Sequence, residues 1–418
     1  MAILHGPRLA ARAAALSCRF TFLTFTSTFH TTSRKWDKHP TGAVPGLRAA
    51  LPDIEPSKLV IEKSTNLRTP PLPKTLVFGQ TFTDHMLSIP WSAASGWGAP
   101  KIHPYGPLSL EPSATVFHYA QTLFEGLKAY RDESGKVTLF RPDMNMKRMN
   151  RSARASRITS VTALIKKLVA LDAHWIPQEP GYSLYIRPTL IGTQTAIGVG
   201  PPSNALLFVI LSPVGPYYKG GFKAVSLLAT TEFVRAHPGG TGGYKLGANY
   251  SPGVVPQVEA AKLGYDQILW LLGSDDLLTE VILKGKDGVT EFVTPPLDDI
   301  VLPGVTRDSV IAIAREHGSN VNPIAGLPDK LVLSERPITM GEVKQAARDG
   351  TLLEVFGCGT AAIVCPVKRI GYRGEDISVP TGEDGIGPFT KVILKEISGR
   401  QVGTIPSDWS VIVPPSSI

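Results

Sequence analysis

Along the 418 residues, compact apolar runs alternate with stretches whose apolar positions recur at helical spacing. Leu184–Ile191 and Leu206–Pro213 have the length and composition of buried strands, and Val225–Thr230, Gln267–Leu272, Leu352–Phe356 and Ala361–Val367 follow the same pattern. Gly126–Arg131 and Lys136–Arg141 flank Asp132-Glu133-Ser134-Gly135, a sequence that predicts a hairpin. Pro142 opens a helical stretch rich in Met and Arg that reaches about Arg157. Ser160 is placed to cap a helix in which Val161, Leu164, Ile165, Leu168 and Leu171 share one face. Further helices are expected over Pro252–Lys262, over Val305–His317 behind Pro303-Gly304, and over Pro388–Ile397 behind the glycine-rich loop Pro380–Gly387. Alternating strands and helices without an internal repeat predict a mixed α/β fold in two unequal domains. The chain turns polar and glycine-rich near Tyr217–Phe222, which places the seam between residues 76–216 and 217–418. Residues 37–75, rich in Pro, Lys and Thr, read as a linker or loosely docked arm.

Charge changes the picture at one end only. The formal charge is +8, but residues 1–36 hold Arg8, Arg12, Arg19, Arg34 and Lys35 and no acidic residue. Without those five, the remainder carries about +3, too little for a dedicated nucleic-acid surface. The same 36 residues are rich in Ala, Ser, Thr and Phe, which predicts a mitochondrial presequence and a matrix location. Arg12 and Arg19 interrupt the apolar core that a secretory signal needs; the remaining alternative is a disordered cytosolic arm. Cys18, Cys358 and Cys365 make no disulfide framework. No run reaches the roughly 18 apolar residues of a membrane span.

Several chemistries are missing from the chain. There is no His-Glu-x-x-His, no paired Cys-x-x-Cys, no Gly-x-Ser-x-Gly and no Walker-type Gly-Lys-Ser/Thr, and the histidines lack metal-ligand spacing. Gly357-Cys358-Gly359-Thr360 imitates a dinucleotide fingerprint, but a strand pattern follows it where a helix should open. That turn and Leu302-Pro303-Gly304-Val305-Thr306, at a helix start, are each suited to a phosphate or to an ordinary turn or cap. One lysine, Lys245, sits in Gly239-Gly240-Thr241-Gly242-Gly243-Tyr244-Lys245-Leu246-Gly247, either a plain surface loop or a Schiff-base lysine to which glycines let a ligand come close. An amine that attacks a carbonyl must be neutral, so its pKa must fall well below ~10.4.

In order along the chain come Phe117-His118-Tyr119-Ala120-Gln121-Thr122-Leu123-Phe124-Glu125-Gly126-Leu127-Lys128-Ala129-Tyr130-Arg131, Arg141-Pro142-Asp143-Met144-Asn145-Met146, Leu184-Tyr185-Ile186-Arg187-Pro188, Tyr244-Lys245-Leu246-Gly247-Ala248-Asn249-Tyr250, Thr279-Glu280-Val281, Leu302-Pro303-Gly304-Val305 and Gly359-Thr360-Ala361. From about Leu76 to Val413 this series resembles the branched-chain amino acid aminotransferases. The resemblance implies a fold-type-IV pyridoxal 5'-phosphate (PLP) enzyme, with a small α/β domain and a larger cofactor-binding domain built on a barrel-like sheet with flanking helices. It implies that Lys245 forms the Schiff base and shuttles the proton, that Tyr250 bonds the cofactor's phenolic oxygen, and that Glu280 faces the ring nitrogen. Arg141, Val305, Thr306 and Thr360 match the phosphate cradle. Phe78, Tyr119, Phe124, Tyr185, Arg187 and Tyr217 match the substrate-pocket wall, with Ala361 offering its backbone to the substrate carboxylate and Arg187 neutralising the second carboxylate of glutamate. The implied reaction passes the amino group of leucine, isoleucine or valine to 2-oxoglutarate in a metal-free, ping-pong cycle within a homodimer.

The chain departs from this family in two places. Ala362 stands where animal mitochondrial members often carry the first cysteine of a redox pair, so a thiol–disulfide switch is not available there. After Thr279-Glu280-Val281, roughly eight residues are missing relative to the family, the length of a short strand. Either Val281–Gly288 is drawn in as a substitute strand, or Glu280 is displaced, or the sequence carries a gene-model error. Rival readings are a D-amino acid transaminase or aminodeoxychorismate lyase of the same fold, or a catalytically impaired paralogue.

Overall fold

The computed structural model describes residues 51, 53–153, 158, 160–217, 223–278 and 281–416, without the side chains of residues 281–284 and 286. The expected presequence lies outside the described residues, as does most of the expected seam at Tyr217–Phe222.

The first half of the chain builds one sheet from β1 (Val60–Ile61), β2 (His85–Ser92), β3 (Gly96–Trp97), β4 (Lys101–Pro104), β5 (Thr122–Phe124), β6 (Leu127–Arg131), β7 (Val137–Phe140), β8 (Ser183–Gly192) and β9 (Asn204–Val214). Its order runs β1-β4-β2-β9-β8-β6-β7, and the chain's last strand, Ser410–Val413, returns to pair with β7. The turn at residues 132–135 joins β6 to β7 as the sequence predicts, with Gly135 at φ +85°. Part of the expected arm joins this sheet too: Val60–Ile61 runs parallel to β4, and Ile54 is buried in the core. The strand β2 escapes sequence analysis because Pro90 interrupts it. Beyond the end of β4 opposite Ser88, that side of β2 is held at Pro90 through its carbonyl alone, which accepts from the Gly98 N–H at 2.8 Å.

Helices α1 (Thr115–Tyr119), α2 (Pro142–Ala153) and α3 (Val161–Leu171) accompany this sheet. In α3 the predicted stripe is buried through Val161, Leu164, Ile165 and Leu168, with Val169 beside them. At about 2 kcal/mol for each buried aliphatic side chain, the stripe contributes about 10 kcal/mol before entropy is charged against it.

The second sheet comprises β10 (Val225–Thr230), β11 (Gln267–Leu272), β12 (Leu277–Leu278), β13 (Val281–Lys286), β14 (Val289–Thr294), β15 (Leu331–Glu335), β16 (Leu352–Gly359), β17 (Ile363–Tyr372) and β18 (Glu375–Ser378), with β19 the strand Ser410–Val413 already placed. Its order is β12-β11-β10-β17-β16-β13-β14-β15, and β10 runs parallel to both neighbours. The two ends nearly meet. Leu278 donates its N–H to the Ile338 carbonyl at 2.9 Å, and Leu277 bridges Thr339, just beyond β15. This gives the barrel-like closure. Val281–Lys286, where the chain is short, pairs antiparallel with both β14 and β16, with an irregularity between Leu283 and Lys284. Val281–Gly288 is thus drawn into the sheet, while Thr279 and Glu280 lie outside the described residues.

Around it lie α4 (Val254–Lys262), α5 (Val305–Gly318), α6 (Met340–Arg348) and α7 (Pro388–Val402). The helix α6 is not among those expected, although Thr339 and Glu342 carry its start signal: the Glu342 N–H donates to Thr339 Oγ1 at 3.1 Å. The start of α7 is capped from outside the helix. Buried Glu354 on β16 accepts from the N–H groups of Phe389 (2.8 Å) and Thr390 (2.9 Å) and from Thr390 Oγ1 (2.6 Å). Glu354→Ala orphans these buried donors and is expected to cost about 3 kcal/mol. Urea denaturation reads the loss, and a change below about 1 kcal/mol would show the cap to be dispensable.

Candidate active site

The loop carrying Lys245 is held by packing of chain on chain. A Cβ on Gly242 would stand 2.4 Å from both the Ala236 Cβ and the Ile300 carbonyl oxygen, and one on Gly247 would stand 2.3 Å from Thr122 Cγ2. Both glycines are therefore required by neighbouring protein, whatever a ligand asks of them. The Lys245 N–H donates to Ser152 Oγ at 3.0 Å, and its carbonyl accepts from the Phe124 N–H at 3.1 Å. The backbone of this residue is thus pinned between α2 and β5.

Its side chain is half-buried. Nζ lies 3.2 Å from Tyr250 Oη, 4.7 Å from the centre of the Phe124 ring and 5.4 Å from that of Tyr250. Burial is the main force that pushes the amine down to about 7; the Arg148 guanidinium adds to it, Glu125 opposes, and Arg187 and Arg235 add further. At pH 7 about half of Lys245 is then neutral, against about one in 2,500 for an ordinary lysine. Competitive acetylation of cofactor-free protein is expected to show Lys245 gaining reactivity as pH rises through about 7; a midpoint near 10 would contradict this.

The aromatic residues form a continuous wall from this amine. Phe124 tilts against Tyr250 with ring centres 5.0 Å apart, and Arg187 lies 4.8 Å from the Phe124 ring and 5.2 Å from that of Tyr185. Phe78 meets Tyr185 edge-on at 5.0 Å and Tyr217 at 5.1 Å. Gly126 makes room for Tyr185, since a Cβ there would stand 1.9 Å from its hydroxyl. The Arg187 Nε is buried without a hydrogen-bond partner, a donor free to meet an anion.

Beneath this wall, α2 turns a polar stripe inward. Glu125 is wholly buried and accepts from Arg148 at two points, Nε to Oε1 at 2.7 Å and Nη2 to Oε2 at 2.8 Å, and from Asn145 Nδ2 at 2.8 Å. The remaining Arg148 nitrogen donates to the Pro303 carbonyl at 2.9 Å, just ahead of Gly304 and α5. Asn145, Arg148 and Ser152 thus tie β5–β6, the α5 entry loop and Lys245 to one helix. Sequence reasoning missed Arg148 and Arg235. Asn145, Arg148 and Ser152 recur at helical spacing as a polar stripe of α2, and only the tertiary contact with Glu125 reveals that stripe as buried.

Other expected residues fall further away. Arg141 is not brought to this cluster; it pairs with Asp308 at 2.7 Å, donates to Ser309 at 2.9 Å and stacks on Trp409 at 4.7 Å. Val305 and Thr306 form the buried first turn of α5. Thr360 and Ala361 lie in the β16–β17 turn, where the Ala361 carbonyl accepts from Lys128 Nζ at 3.0 Å. Tyr119 is exposed and donates to the Ile197 carbonyl. Glu280 lies outside the described residues.

Comparison with known proteins places this arrangement. The model of the class IV amino-transferase family matches residues 122–370. A mitochondrial branched-chain-amino-acid aminotransferase of Saccharomyces cerevisiae is 52% identical over 378 residues, covering 86% of this chain and 93% of that protein. The cytosolic protein of that name from the same yeast is 49% identical over 379 residues, covering 87% and 98%. A cytosolic one from Mus musculus is 44% identical over 369 residues, covering 85% and 92%. Among solved structures, a branched-chain amino acid aminotransferase of Escherichia coli superposes with a TM-score of 0.61 at 23% identity, covering 78% of this chain and 99% of that one. That likeness shows the fold, which is the expected fold-type-IV α/β architecture. The chain belongs to the class IV aminotransferases and, within them, to the branched-chain-amino-acid aminotransferase family.

Proposed function

We propose that this protein transfers the amino group of leucine, isoleucine or valine to 2-oxoglutarate, using PLP, as a homodimer in the mitochondrial matrix. The carrying observation is one half-buried amine, pushed down to about 7 and held 3.2 Å from a tyrosine hydroxyl, with three guanidiniums acting on it. This donor set fits a phosphorylated aldehyde. A neutral amine suits the aldehyde, and the first turn of α5 (Val305, Thr306) suits a dianion, with Arg141 and Thr360 assigned to the same group. Arg141, tied to the start of α5 through Asp308 and Ser309, keeps the phosphate assignment that the resemblance gives it, while Arg148 is spent on Glu125 and the Pro303 carbonyl. Tyr250 is assigned to the phenolic oxygen and Glu280 to the ring nitrogen.

When bound, PLP supplies an electrophilic aldehyde and a ring that stores the electron pair freed at the substrate's Cα. Lys245 Nζ takes the Cα proton and later returns it, a role that needs an amine neutral near pH 7. The Tyr250 hydroxyl keeps that amine on one side of the pocket. Phe78, Phe124 and Tyr185 offer apolar rings to a branched side chain and exclude water from it. The unpartnered Arg187 Nε offers a donor to the second carboxylate of glutamate, so one pocket serves both kinds of substrate.

Mixing the holoenzyme with leucine alone is expected to convert the cofactor to its amine form, and 2-oxoglutarate to restore it. Conversion by D-alanine but not leucine would overturn this substrate class. Phe117, Ile197 and Val199, all exposed around Tyr119, support burial of this rim by a second copy. The acid-free, arginine-bearing residues 1–36 support import, and both mitochondrial and cytosolic relatives exist. Sedimentation and an import assay test these two points.

A further inference from the structure

Lys128 is a second buried lysine, distinct from the one assigned to chemistry. It lies on β6, only 4% exposed. In the β6–β8 ladder it stands opposite Tyr185, so both side chains leave the same face of the sheet, the one that carries the aromatic wall. Leu127, its neighbour, points into the opposite core. Among the described residues no carboxylate lies within ion-pairing distance of its amine, and its hydrogen bond goes to the Ala361 carbonyl at 3.0 Å. Burial draws the amine down to about 8, so it still carries a proton at neutral pH. A buried ammonium with one neutral acceptor has donors and charge to spare, and an arriving anion offsets that cost.

The group it touches needs a tie. The β16–β17 ladder closes at Gly359 and Ile363, leaving Thr360, Ala361 and Ala362 outside it, and Ile363 takes a positive φ of 63°. A bond from Lys128 fixes the Ala361–Ala362 peptide from the opposite sheet.

We propose that Lys128 is a positioning residue for the substrate carboxylate: its amine fixes the Thr360–Ala361–Ala362 turn through the Ala361 carbonyl and lends that turn the positive charge that draws a carboxylate to it. This rests on the reading that the turn receives the substrate's carboxylate, which every amino and oxo acid of the reaction carries.

The test uses the holoenzyme and titration calorimetry with 4-methylpentanoate, the leucine skeleton without its amine, against the corresponding primary amide. In the unmutated enzyme the acid is expected to bind at least about tenfold tighter than the amide. Lys128→Met is expected to weaken the acid by about 10- to 100-fold and the amide by less than about twofold, while Lys128→Arg keeps the acid within about threefold of the unmutated enzyme. Equal weakening of acid and amide would reduce Lys128 to a structural tie and overturn the proposal. Equal binding of the two by the unmutated enzyme, or unchanged acid binding in Lys128→Met, would also overturn it. Failure of the function itself shows elsewhere, as an unmutated holoenzyme that leucine leaves unconverted.

Discussion

Replacing Lys245 with alanine is expected to lower turnover of leucine and 2-oxoglutarate by at least about a thousandfold while leaving the protein folded. A positioned general base contributes about 10²- to 10⁴-fold, and no other described side chain stands ready to replace this one. Lys128, the other buried amine, is directed at the Ala361 carbonyl. Tyr250 is occupied as the acceptor of the lysine amine's own hydrogen bond. Lys245→Arg should fail equally, because a guanidinium stays charged at any working pH. The backbone ties of residue 245 to Ser152 and Phe124 survive either substitution, so the melting temperature should move little. A coupled glutamate assay makes the measurement; activity within tenfold of the unmutated enzyme would remove Lys245 from the chemistry.

Arg148→Met is expected to be the most destabilising change in the site, costing about 3–5 kcal/mol against a total of about 5–15. The substitution strips Glu125 of both charged donors and leaves a wholly buried carboxylate with Asn145 and the Gly126 N–H. It also releases the Pro303 carbonyl and with it the approach to α5. Urea denaturation of cofactor-free protein reads the cost. Adding Glu125→Gln to Arg148→Met removes the stranded charge and should recover about half of the loss. A second sign follows from the same contact. Arg148 is the nearby charge that does most to keep the Lys245 amine low, so its removal should move the acetylation midpoint of that lysine upward from about 7. A cost under about 1 kcal/mol with an unmoved midpoint would show the clamp to be idle.

Much of the fold is legible because burial on one side of an element leaves a period. The α3 stripe, the hairpin at residues 132–135 and the strands from Val225 and Gln267 all stand where apolar spacing puts them. Elements fixed by longer-range pairing are harder. β2 carries Pro90 yet pairs with β9 on one side and, through the Pro90 carbonyl, with Gly98 on the other, and β19 returns from the far end of the chain to meet β7. The site shows the same division. Lys245, Tyr250, Phe124, Tyr185, Arg187, Phe78 and Tyr217 are joined in one chain of contacts. Arg148 escaped notice because an arginine among Lys147, Asn150 and Arg151 reads as a solvated helix face, and only the tertiary position of Glu125 reveals it as buried. Arg141 stands outside that chain of contacts, its guanidinium held by Asp308 in the first turn of α5 and by Ser309 next to it.

Among the described residues two lysine amines are depressed, half-buried Lys245 to about 7 and buried Lys128 to about 8, and only the first stands beside the Phe124–Tyr250 pair. Reduction of the purified holoenzyme with borohydride, followed by peptide mapping, separates them directly. The cofactor is expected to be trapped on Lys245 alone. A label on Lys128, or on no lysine at all, would contradict the account.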